Sequence, residues 1–173
     1  MEIKGAAILY TLATVMITFA GFSALLYVVR QAAGAKVSLL DRFIAKTVMT
    51  YVFVLTAAAL LPVLLALFEI DEKQIWLWSG VLFALPMLAL QVTYPIRRRK
   101  AVGSVPPPAI YAIFVVFGSA VTLAMLIYVL ASGRFSAAVY ITALTIDFFT
   151  VVIGFVNALD IIMQQPTEAK EPK

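Results

Sequence analysis

The sequence predicts an all-α integral membrane protein, a bundle of five transmembrane helices. Three observations carry that expectation: composition, the length of the apolar runs, and the punctuation between them. Hydrophobic residues make up 64% of the 173-residue chain and charged residues only 13%, against ~25% charged in an average soluble domain. The mean hydropathy of +1.04 agrees. Five runs, at about 6–29, 43–68, 75–96, 109–131 and 137–163, are long enough for helices crossing ~30 Å of hydrocarbon, which takes ~20 residues each. None alternates with the period of two expected of a barrel strand. The expected organisation is one membrane domain over 1–163 and a polar, disordered cytoplasmic tail over 164–173.

The first run is read as a retained span. A signal-peptide core is ~7–15 residues long and follows basic residues, whereas this run is longer and, apart from Lys4, its flanking basic residues, beginning with Arg30, come after it. A Gly/Ala turn over 31–37 leads to Ser38-Leu39-Leu40-Asp41, where Ser38 fits an N-cap and Asp41 completes a capping box that opens the second helix. Pro62 and Pro86 fall inside spans two and three, where each removes one helical hydrogen bond and kinks its segment. Span four follows Arg97-Arg98-Arg99-Lys100 and the stiff Pro106-Pro107-Pro108, with Pro108 or Ala109 suited to the first helical position.

Orientation follows from lysine and arginine in the linkers. Alternate segments share a side. One side holds Arg30, Lys36, Arg42, Lys46, Arg97, Arg98, Arg99, Lys100, Lys170 and Lys173; the other holds Lys4, Lys73 and Arg134. Ten against three predicts an N-terminus outside and a C-terminus in the cytoplasm, in the cell (inner) membrane. Tyr10, Trp76, Trp78, Tyr128 and Tyr140 then fall near outer span ends, and Tyr27, Tyr94 and Tyr111 near inner ends, as interfacial aromatic residues do.

Composition also excludes chemistry. Cysteine and histidine are both absent, which removes thiolate catalysis, disulfides, serine–histidine hydrolysis, and His- or Cys-ligated haem or zinc. No cofactor, metal site or nucleic-acid contact is expected, and no catalytic residue is assigned. Asp147 and Asp160 stand ~19 Å apart along one helix, too far for a carboxylate pair, so enzymatic activity is not expected.

Asp147 is the most informative residue. It lies about 15 Å into span five, near the midplane, where a carboxyl group is costly and faces protein or water. Thr150, Gly154 and Asn157 share its helical face, leading toward Asp160. Thr11, Thr14, Thr18 and Gly21 form a similar stripe on span one, so spans one and five are expected to meet through their polar faces. Gln91 is a further polar residue of span three able to join the core. Arg97, Arg98, Arg99 and Lys100 form a juxtamembrane cluster suited to anionic lipid. Small-x-x-x-small spacings at Ala20/Ala24, Gly80/Ala84 and Gly154/Ala158 permit close helix approach.

Two functions fit these residues. One is an oligomeric cation channel or ion-conducting protein using a polar seam of Asp147, Thr150, Asn157, Asp160, Thr11, Thr14 and Thr18. The other is a non-catalytic scaffold or accessory subunit of a larger membrane complex. The expected partners are the lipid bilayer and either further copies of the chain or other membrane subunits.

Overall fold

Apolar runs become helices in a bilayer because only a helix satisfies every backbone group within its own segment. The computed structural model describes residues 3–32, 34, 37–132 and 136–163, with the side chains of 132 and 160–163 outside the description. Among the described residues all regular structure is helical: α1 (Ala6–Ala32), α2 (Leu39–Ala66), α3 (Glu72–Val102), α4 (Pro108–Ile110), a π-helical segment (Tyr111–Phe117), α5 (Gly118–Ser132) and α6 (Ala137–Met163). The pieces over 108–132 run on as one fourth span. Five helices are long and apolar enough to cross a membrane, as the hydropathy runs predict. The tail over 164–173, Lys36 and Arg134 lie outside the described residues.

Local chemistry sets the helix ends. The Ser38–Asp41 capping box is present in both directions: the Ser38 hydroxyl accepts from the Asp41 N–H at 3.1 Å, and the Asp41 carboxylate accepts from the Ser38 N–H at 3.0 Å. Asp71 caps α3 through the Lys73 N–H. Gly103 ends α3 in the left-handed region at φ 75°, which glycine adopts without steric cost. Pro108 occupies the first turn of α4, where its missing N–H is not needed.

Packing ranks the spans. Helix α2 lies against α1, α3 and α6, while the fourth span fills the side between α3 and α6. Helix α1 is peripheral: it packs chiefly on α2, reaches α6 through Phe19 against Phe148 and Phe155, and leaves Ile8, Val15, Phe22 and Leu25 exposed. The Gly80/Ala84 pair is spent within the chain, with Gly80 facing Val129 of α5.

Three of the aromatic residues near span ends are turned into the bundle. Trp76, Tyr94 and Tyr140 are buried, whereas Tyr10, Trp78, Tyr111 and Tyr128 are exposed. The reason for Tyr140 is specific. Pro62 has no N–H, so the carbonyl of Ala58 one turn earlier has no helical donor. The Tyr140 hydroxyl supplies that donor at 2.7 Å from across the α2–α6 interface, and its ring sits among Trp76 and Phe83.

Candidate functional site

Asp147 is fully buried, and its neighbours come from three spans. Gln91 of α3 donates through Nε2 to Oδ1 at 3.2 Å. Thr122 of α5 lies 2.8 Å from Oδ2 through its hydroxyl. The same hydroxyl is 3.1 Å from the Gly118 carbonyl and 3.4 Å from Gln91 Oε1. Asp147, Gln91 and Thr122 therefore close into a triangle in the bundle interior. Among the described residues no cation forms an ion pair with Asp147; the salt bridge seen is Arg30–Asp41, at 3.7 Å between the last turn of α1 and the first turn of α2.

Backbone features make room for the triangle. The π-helical turns bring the Gly118 N–H onto the Ile113 carbonyl. A Cβ on Gly118 would stand 2.8 Å from Gln91 Nε2, so glycine is the residue that lets the amide reach Asp147. One turn away, Phe114 presses against α6 where a Cβ on Gly154 would overlap its ring. Phe114 also stacks on Tyr94 at 5.6 Å and meets Tyr51 edge-on at 5.8 Å. The Gly154/Ala158 spacing is thus filled by an aromatic side chain of the same protein. Seven consecutive π-helical residues are unusual, since such geometry appears mostly as single-turn bulges, often beside functional groups.

The remaining residues of the expected seam are placed as follows. Thr150 is buried on the Asp147 face, with its hydroxyl bonded back to the Ile146 carbonyl at 2.9 Å. Asn157 is half-buried. The Asp160 side chain lies outside the described residues. Thr11, Thr14 and Thr18 are on the exposed side of α1, and each hydroxyl bonds the carbonyl four residues back, at 2.9, 2.9 and 2.8 Å. The structure does not bring them to Asp147, because α1 meets α6 through its phenylalanine side; threonine in a helix already has a partner in its own turn.

The basic run separates into different environments, since successive helical residues point ~100° apart. Arg99 and Lys100 are exposed. Arg97 turns inward, donating from Nη2 to the Leu90 carbonyl at 2.8 Å and lying 6.0 Å over the Tyr51 ring. Arg98 is buried at 7% exposure and lines a cavity of about 30 Å³ between α2, α3, the fourth span and α6.

Sequence reasoning found Asp147 and Gln91 but missed Thr122, Tyr140 and the split of the basic run. A proline in a span does signal a carbonyl in need of a donor, and that rule points to Ala58. Thr122 carries no comparable signal among the chain's many threonines. Comparison with known proteins found no matching family model, no similar curated protein and no similar solved structure.

Proposed function

We propose that this chain is a non-catalytic multi-pass membrane subunit whose intramembrane acid joins helices. One observation carries the reading: Asp147 is sealed from solvent, with both oxygens engaged by Gln91 and Thr122. A conducting carboxylate has to face a wet path. The donor inventory suits a neutral acid as well. A proton on Oδ2 donated to the Thr122 oxygen leaves the Thr122 hydroxyl hydrogen for the Gly118 carbonyl, so both oxygens of the neutral acid are engaged. An ionised Asp147 has two neutral donors and, among the described residues, no counter-ion against a desolvation cost of several kcal/mol.

The lysine and arginine count supports placing the N-terminus outside and the C-terminus in the cytoplasm, in the cell (inner) membrane. A partner's place is supported by α1. Ala7, Thr11, Thr14, Thr18 and Gly21 recur every three or four residues on its exposed side, with the hydroxyls tied to their own helix. Small residues so spaced let another span approach closely.

Proteoliposome flux tests this reading. Purified protein is expected to pass neither K⁺ nor protons above empty vesicles across pH 5–8. A cation flux that Asp147→Asn abolishes would overturn the subunit reading and restore the channel. Photo-crosslinking in native membranes supplies the other arm. A probe at Thr14 is expected to give one defined adduct with a different membrane protein, and a probe at exposed Leu85 is not. A Thr14 adduct consisting only of a second copy would make the assembly a homo-oligomer.

A further inference from the structure

The cavity at the Arg98 end of the bundle has a chemistry that neither the helix-joining triangle nor the α1 face uses. It opens where α2 and the fourth span begin and where α3 and α6 approach their ends. Its walls include Phe43, Ile44, Val48 and Ile110, with Thr47 and Tyr94 as polar neighbours of Arg98. Arg98 lines the cavity together with Tyr94, and its buried Nε has no hydrogen-bond partner.

An arginine is always charged and carries five donors. A buried donor left unmet costs ~1–3 kcal/mol, more when charged. No carboxylate among the described residues pairs with Arg98. The cavity, of about 30 Å³ and partly open, has room for the oxygens of a small anionic group. Most of the named lining is hydrocarbon, which suits the chain portion of an amphiphile rather than a fully hydrated ion.

We infer that this crevice binds a singly charged oxyanion, the phosphodiester of an anionic membrane lipid, through Arg98. The site is independent of the subunit reading above. It also differs from diffuse attraction to a basic surface, because Arg99 and Lys100 are exposed and do not line it.

Native mass spectrometry of the full chain tests it, with protein released from nanodiscs containing phosphatidylglycerol and phosphatidylcholine. One phosphatidylglycerol is expected to be retained, and Arg98→Gln is expected to weaken that retention about ten-fold, equivalent to ~1.4 kcal/mol. The exposed pair Arg99→Gln/Lys100→Gln is expected to leave it unchanged. Should Arg98→Gln fail to fold, Ala158→Leu keeps the arginine and fills the cavity, and is expected to lose the lipid as well. Titration with inorganic phosphate separates the sources: displacement of the lipid at millimolar phosphate supports an oxyanion site open to free anions, and no displacement supports the lipid alone. Equal retention of phosphatidylcholine, loss in the Arg99/Lys100 variant, or retention in Ala158→Leu overturns the inference.

Discussion

Tyr140→Phe removes one oxygen, and its effect depends on a proline 78 positions earlier in the chain. The Tyr140 hydroxyl donates to the Ala58 carbonyl at 2.7 Å in the buried α2–α6 interface. That carbonyl lacks its usual donor because position 62 is proline. Interhelical hydrogen bonds in membranes average ~0.6 kcal/mol and reach ~1.7. Leaving a buried acceptor with no alternative donor puts this bond at the upper end, so Tyr140→Phe is expected to cost ~1.5 kcal/mol. In a Pro62→Ala background the restored N–H satisfies the carbonyl, and the same substitution is expected to cost ~0.5 kcal/mol or less. The double-mutant coupling is then ~1 kcal/mol, about five-fold in the unfolding equilibrium constant. Reversible unfolding in mixed micelles reads it out, with fluorescence from Trp76, whose ring centre lies 5.7 Å from that of Tyr140. Equal costs in the two backgrounds would refute the pairing of the tyrosine with the proline's vacant acceptor.

Two further substitutions probe the interior by the same unfolding assay. Asp147→Asn keeps an acceptor for Gln91 and offers a donor to Thr122, so stability is expected within ~0.5 kcal/mol of the parent; Asp147→Leu leaves the buried Gln91 amide unmet, with Thr122 keeping only its own helix carbonyl, and is expected to lose ~2 kcal/mol. A larger loss for Asn than for Leu would remove the hydrogen-bonded acid from the account. Gly154→Ala drives a methyl group into the Phe114 ring and is expected to cost ~1–3 kcal/mol, as overpacking does. Adding Phe114→Leu is expected to restore most of that loss, and an unrescued double variant would show that the ring is not the obstacle.

The five spans were legible because apolar run length reports directly on a property of one segment. The capping box at Ser38 and Asp41 was legible for the same reason: both partners lie within four residues. Asp147 was legible as an oddity, and Gln91 as a polar residue able to join the core. Their meeting with Thr122 was not, because it depends on the rotation of three helices about their axes. The helical spacing that groups Thr11, Thr14 and Thr18 is correct, yet spacing does not say whether a face turns inward. Here the bulkier Phe19 takes the inward contact with α6. The π-helical segment has no signature in hydropathy, which counts residues without regard to how tightly they wind.

The rotation of the basic run also changes how much charge an approaching surface meets. A juxtamembrane lysine or arginine near an anionic leaflet contributes ~1 kcal/mol of attraction, so a count of four suggests ~4 kcal/mol. Arg97 and Arg98 point into the bundle, leaving Arg99 and Lys100 to act through water. The share that salt can weaken at this end of α3, by screening over ~8–10 Å, is therefore nearer ~2 kcal/mol. The two inward arginines still carry their charge, but ionic strength has far less hold on them, because salt ions cannot gather around a buried group.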